Sequence, residues 1–104
     1  MYIAVVIALL FYIISSVMDY VISYVGTQRG VADEGNGVIT ELFGAKPSLG
    51  QYLLYALGEA VVLSLPALLF LVAKQYGVCG LLATYGVMGV KHVIAYMQWK
   101  KLGA

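Results

Sequence analysis

The chain has 104 residues, 62% of them hydrophobic and 11% charged, with a net charge of +1 and a mean hydropathy of +0.93. One small water-soluble core cannot hide that much apolar surface, so lipid or further copies of the chain must cover the remainder. The near-neutral charge and scattered Lys and Arg give no phosphate-tracking patch, and nucleic acid is not among the expected partners.

From the N-terminus, residues 2–25 form a nearly unbroken apolar run. The run lacks a basic start and a small-x-small cleavage site, so it reads as a retained first spanning helix and not as a signal peptide. Tyr12, Ser15, Ser16, Asp19 and Ser23 recur at spacings of three and four, a polar stripe expected to face protein.

Residues 26–47 are expected to be a long, polar, Gly-rich loop carrying Arg29, Asp33, Glu34, Glu41 and Lys46. Within it Asn36 can cap a short helix through Val38, Ile39, Leu42 and Phe43 that stops at Gly44, with its apolar residues on one face, along the membrane interface or on a neighbouring subunit. The glycines do not make a phosphate-binding loop, because no strand precedes them and no Gly-Lys-Ser/Thr follows.

The second apolar segment covers 48–73 and is read as the packed, central helix. Ser48 and Gln51 form a Ser-x-x-Gln capping box after Pro47, which sets its start. Ala56, Ala60 and Ser64 repeat every fourth residue and allow close approach of another helix, while Pro66 removes a backbone donor and bends the second half. A tight turn is expected at 74–77, followed by a third helix over 78–101. Gly77, Gly80, Gly86 and Gly89, with Ala83 and Thr84, strip one side of that helix for packing. An alternative ends the span near Val90, since only 13 residues precede Lys91, and makes the rest an interfacial amphipathic helix. Cys79 excludes an intrachain disulfide and is read as a packing residue.

The fold expected is therefore all-α, a single domain over 1–104 with three long hydrophobic helices of transmembrane type, near 2–25, 48–73 and 78–101. Lys74 alone marks the end holding the N-terminus, whereas Arg29, Lys46, Lys100 and Lys101 mark the other, so the long loop and the C-terminus are expected in the cytoplasm. Tyr20, Tyr24, Tyr52, Tyr55, Tyr96 and Trp99 on the loop side, with Tyr2 and Tyr76 opposite, read as interfacial belts.

At a 1.5 Å rise per residue, Asp19, Glu59 and Lys91 all lie within about 10 Å of their helix midpoints, each displaced toward the loop side. A lone charge at mid-membrane costs roughly 2.5–3.5 kcal/mol, so a shared cluster of Asp19, Glu59, Lys91 and His92 is expected. Such a cluster reads either as an ion-paired lock on helix register or as a proton or cation path. A lock with a base already at the same depth, and no visible access route, predicts no flux across a bilayer. Two carboxylates and an imidazole could also hold iron or manganese, but no Glu-x-x-His pair occurs, and no metal or other cofactor is expected. Neither Gly-x-Ser-x-Gly nor His-Glu-x-x-His appears, so the chain does not read as an enzyme.

Asp19, Ser23, Gly30, Glu34 and Asn36 resemble the pattern of a family of small prokaryotic three-helix membrane proteins of uncharacterised function, in which Asp-x-x-x-Thr is followed by Gly and then Glu-x-Asn-Pro. Ser23 stands here for the threonine and Gly37 for the proline; the resemblance implies the three spans and supplies no activity. The two small-residue-rich helices joined by a short turn with one lysine also resemble the hairpin of conjugation-type pilins, which have little like the 26–47 loop. That resemblance implies subunits extruded from the membrane into a hollow, lipid-retaining filament, with Lys74 toward the lumen and the lipid headgroups. The function expected is thus a non-enzymatic structural subunit of a homo-oligomeric, membrane-derived assembly, with lipids and copies of itself as partners. The alternatives are a small transporter or proton-conducting subunit using Asp19, Glu59 and Lys91, or an accessory subunit among other membrane subunits.

Overall fold

A computed structural model describes residues 2–104 and is all-α. Helix α1 spans Tyr2–Gln28, α2 Gly37–Phe43, α3 Leu49–Leu63, and α4 Lys74–Lys101, with a 3-10 segment at Leu65–Leu71 between the last two. Three stretches, Tyr2–Gln28, Leu49–Leu71 and Lys74–Lys101, are long and apolar enough to cross a membrane. The long axis of 47 Å exceeds a hydrocarbon core of roughly 30 Å, which leaves length at both ends for the headgroup regions.

Local chemistry accounts for the helix ends. The Asn36 side chain accepts from the Val38 and Ile39 amides, and α2 stops at Gly44, whose φ of 88° lies in the region that favours glycine. Ser48 and Gln51 close the capping box reciprocally, with Gln51 N–H donating to Ser48 Oγ at 3.2 Å and Ser48 N–H to Gln51 Oε1 at 2.9 Å. At Pro66 the missing amide ends the α-helical ladder, and the chain tightens into the 3-10 segment where a bend alone was expected. The connection to α4 lies at Val72 and Ala73, so residues 74–77 form the first turn of α4 and not a separate turn. Helix α4 then runs unbroken past Lys91, against an end of the span near Val90.

The most extensive helix contact is between α1 and α4, and α3 lies against their side. The second span is therefore lateral and not central. Small side chains form part of its inner surface: Ala56 packs against the cluster of Tyr20, Ile39 and Tyr52, Ala60 against that of Tyr12, Leu81 and Tyr85, and Ser64 bonds the Tyr85 hydroxyl at 2.6 Å, with Tyr52 the one large side chain of α3 that is fully buried. The large residues Leu57, Val61, Leu65 and Leu68 consequently point outward. Gly89 is buried where a Cβ would strike the Phe11 ring, Gly77 faces Phe70, and Gly80 sits near Pro66 and Leu69, whereas a side chain at Gly86 would meet nothing. Cys79, expected to be a packing residue, is exposed on the outer surface.

Interior and exterior are inverted relative to a water-soluble bundle. Ser15, Ser16, Asp19, Ser23, Thr27 and His92 are buried, while Ile7, Ile14, Val61, Leu68, Val87 and Ile94 are exposed. Lipid suits that exterior, and the chain has the character of a small multi-span integral membrane protein.

Candidate functional site

The polar stripe of α1 turns inward because α4 offers glycines and one imidazole along the contact. His92 lies between the two buried acids: Nδ1 is 2.6 Å from Asp19 Oδ2 and Nε2 is 2.6 Å from Glu59 Oε1. Tyr12 donates to Glu59 Oε1 at 2.8 Å, Tyr20 donates to Glu59 Oε2, and Ser23 donates to Asp19 Oδ1 at 3.2 Å. The Tyr12 and Tyr20 rings flank the imidazole with centroids 5.7 and 5.2 Å away, which fixes its plane. Every buried side-chain nitrogen and oxygen among the described residues has a hydrogen-bond partner, as a low-dielectric interior requires.

Proton counting sets the charge of this centre. Each of the two nitrogen-oxygen contacts requires one proton between its partners, whichever atom holds it. A fully deprotonated imidazole and two carboxylates carry a charge of −3, and the two bridging protons bring the set to −1. Three hydroxyl donors stabilise that charge without cancelling it. The centre is thus one proton, or one cation, short of neutrality. Its carboxylates grip opposite edges of the ring and do not converge on a common point, and among the described residues no His, Cys, Asp and Glu group is arranged to hold a metal ion.

Of the four residues expected in the cluster, the structure joins Asp19, Glu59 and His92. Lys91 is exposed and forms no ion pair among the described residues, because it lies about 100° around the helix from His92. Lys91 instead lines a cavity of about 630 Å³ that leads from Asp19, His92 and Glu59 to the loop end, past Asp33, Glu34 and Trp99. Nothing in the sequence pattern announces this access route, since the 32–36 backbone forms one wall of it. Glu34 is held there by Tyr52, which donates to Oε2, and by the Asn36 amide at 2.9 Å from Oε1.

No family model matches the chain, and no curated protein or solved structure matches it. The two resemblances seen in the sequence accordingly bear on the proposals below and not on its membership of any family.

Tyr12, Tyr20, Tyr52 and Tyr85 are all buried, and of the four only Tyr12 was expected to face inward, on the polar stripe. Tyr20 and Tyr52 are buried under α2, against Ile39, and so face protein. Tyr20 stands four residues after Ser16 and eight after Tyr12, so the spacing of the polar stripe does include it. Lys74 is exposed at the opposite end, with Nζ 4.5 Å from the Tyr2 ring centroid, which puts the N-terminus and the 72–73 connection at one end.

Proposed function

We propose that this chain is a non-catalytic integral membrane subunit of transport type, in which Asp19, His92 and Glu59 exchange a proton or cation with the compartment on the loop side. The observation that carries the reading is a bridged centre of charge −1 on the wall of a cavity that reaches the loop end. A buried acid, base, acid chain with water access can store one proton and return it, and ionisable groups inside a membrane mark such routes. Beyond the centre, stacked Tyr12 and Tyr85, with Leu81, fill the interior, so access is from one side. A path through the whole membrane then needs several copies or other subunits.

Infrared pH-difference spectra of the protein in lipid test this reading. A carboxylic acid band should rise on acidification and be lost in Asp19→Asn or Glu59→Gln. Spectra with no carboxyl change in the parent would overturn the exchange centre.

One observation favours the structural reading as well. The centre is fully hydrogen-bonded and ties all three spans together, as a register lock would, and the open apolar side of α3 can be covered by copies of the chain. Under that reading the chain is the repeating subunit of a homo-oligomer or lipid-associated, pilus-like filament. Electron microscopy of purified native material separates a filament from a ring or a lone subunit.

A further inference from the structure

A second concavity of about 500 Å³ lies on the flank of the molecule, between α2 and α3, within the roughly 300–1,000 Å³ range of small-molecule sites. Its wall is Leu42, Phe43, Leu54, Val62 and Leu63, with Glu59 its single charged side chain. Glu59 is also the only residue this groove shares with the polar cavity. Leu42, Leu54 and Val62 are each about 60% exposed, on the apolar exterior that lipid covers, so the groove is reached from the membrane.

We propose that the groove between α2 and α3 receives a lipophilic monocation from the bilayer, with its apolar body against Leu54, Val62 and Phe43 and its positive group against Glu59. The inference rests on the exchange-centre reading, which supplies the single negative charge. An acyl chain alone would fit the walls but leave that charge unanswered. A lipophilic anion would be repelled by it. A hydrophilic cation gains nothing from five apolar side chains and would use the polar cavity instead. Tyr55, half-buried on the groove wall, adds an aromatic face for the cation.

Proton and cation compete for the same unit of charge, so binding releases a proton wherever the centre holds a third one. The titratable and charged groups that bond Glu59 or line the cavities with it are Tyr12, Asp19 and Tyr20 from α1, Asp33 and Glu34 from the connecting loop, Tyr55 from α3, and Lys91 and His92 from α4.

Equilibrium dialysis of the protein in detergent micelles, with empty micelles as the blank, tests the proposal using tetraphenylphosphonium and its isosteric anion tetraphenylborate. Saturable binding of the phosphonium is expected, tightening as pH rises, with no saturable binding of the borate. Gly58 lines the groove and a Cβ there meets nothing within 4 Å, so Gly58→Leu is the substitution that adds bulk to it. It should weaken phosphonium binding by about tenfold or more, the equivalent of one decade in Kd. Glu59→Gln should abolish the pH dependence. Equal binding of the borate, or an unchanged affinity in Gly58→Leu, would overturn the proposal. Absence of phosphonium binding in a parent that shows the infrared carboxyl response sinks the groove and leaves the exchange centre standing. Charge-selective, Glu59-dependent binding without that response does the opposite.

Discussion

At the scale of single residues, His92 matters because it answers two acids from two different helices. Replacing it by Leu leaves Asp19 and Glu59 buried with no base between them. Removing one member of a buried pair costs on the order of 3–5 kcal/mol, and a loss of that size in His92→Leu should appear in denaturant titration in micelles. Changing Asp19, Glu59 and His92 together to apolar residues should recover much of the loss, and adding Tyr12→Phe and Tyr20→Phe should recover more, since their hydroxyls would otherwise lose their acceptor. A triple variant no more stable than His92→Leu alone would contradict this account. The sequence makes the depth of the acids legible, because depth follows from counting along an apolar run. Whether Lys91 or His92 meets them depends on the rotation of α4, and glycines at 77, 80, 86 and 89 do not all share one face.

At the scale of elements, the α1–α4 contact depends on where glycine is required. A side chain at Gly89 meets Phe11, so Gly89→Ala should cost about 1–3 kcal/mol by overpacking. Gly86 has open space, and Gly86→Ala should be neutral or stabilising by up to about 1 kcal/mol through helix propensity. Thermal unfolding of the two variants side by side checks the pair, and similar midpoints would show that the contact is loose. Capping chemistry made α2 and the start of α3 readable in advance, since Asn36, Ser48 and Gln51 act on amides two or three residues away. Long-range packing was less readable. The Ala56, Ala60, Ser64 stripe implies a close neighbour but not that this neighbour is the rest of the same chain. The lateral position of α3 goes with the exposure of Leu53, Leu54, Leu57, Val61 and Val62, while Tyr52 alone of its side chains is fully buried.

At the scale of the whole molecule, the ends differ in charge and in access. The cavity opens at the end that also holds Arg29, Lys46, Lys100 and Lys101, while Lys74 sits alone over Tyr2 at the other. If basic residues set the orientation, the cavity opens to the cytoplasm, and under the proposed exchange the proton comes from there. The packing keeps these features at one end: Trp99 lies against Gly26 and Ala104, and Gln28 Nε2 donates to the Pro47 carbonyl at 3.4 Å. Both the connecting loop and the C-terminus are therefore held at the same end of the molecule. In a Cys79→Ser background, single cysteines at the exposed positions Glu41, Lys101 and Gln75 separate the outcomes. A membrane-impermeant maleimide added to intact cells should label the position 75 variant and leave the position 41 and 101 variants unlabelled until the membrane is opened. The reverse pattern would place the cavity on the outer face and make the external medium the source of the exchanged proton. Labelling of positions 41 and 101 from opposite sides would instead contradict the three-span arrangement, because α3 and α4 carry the chain across and back between them.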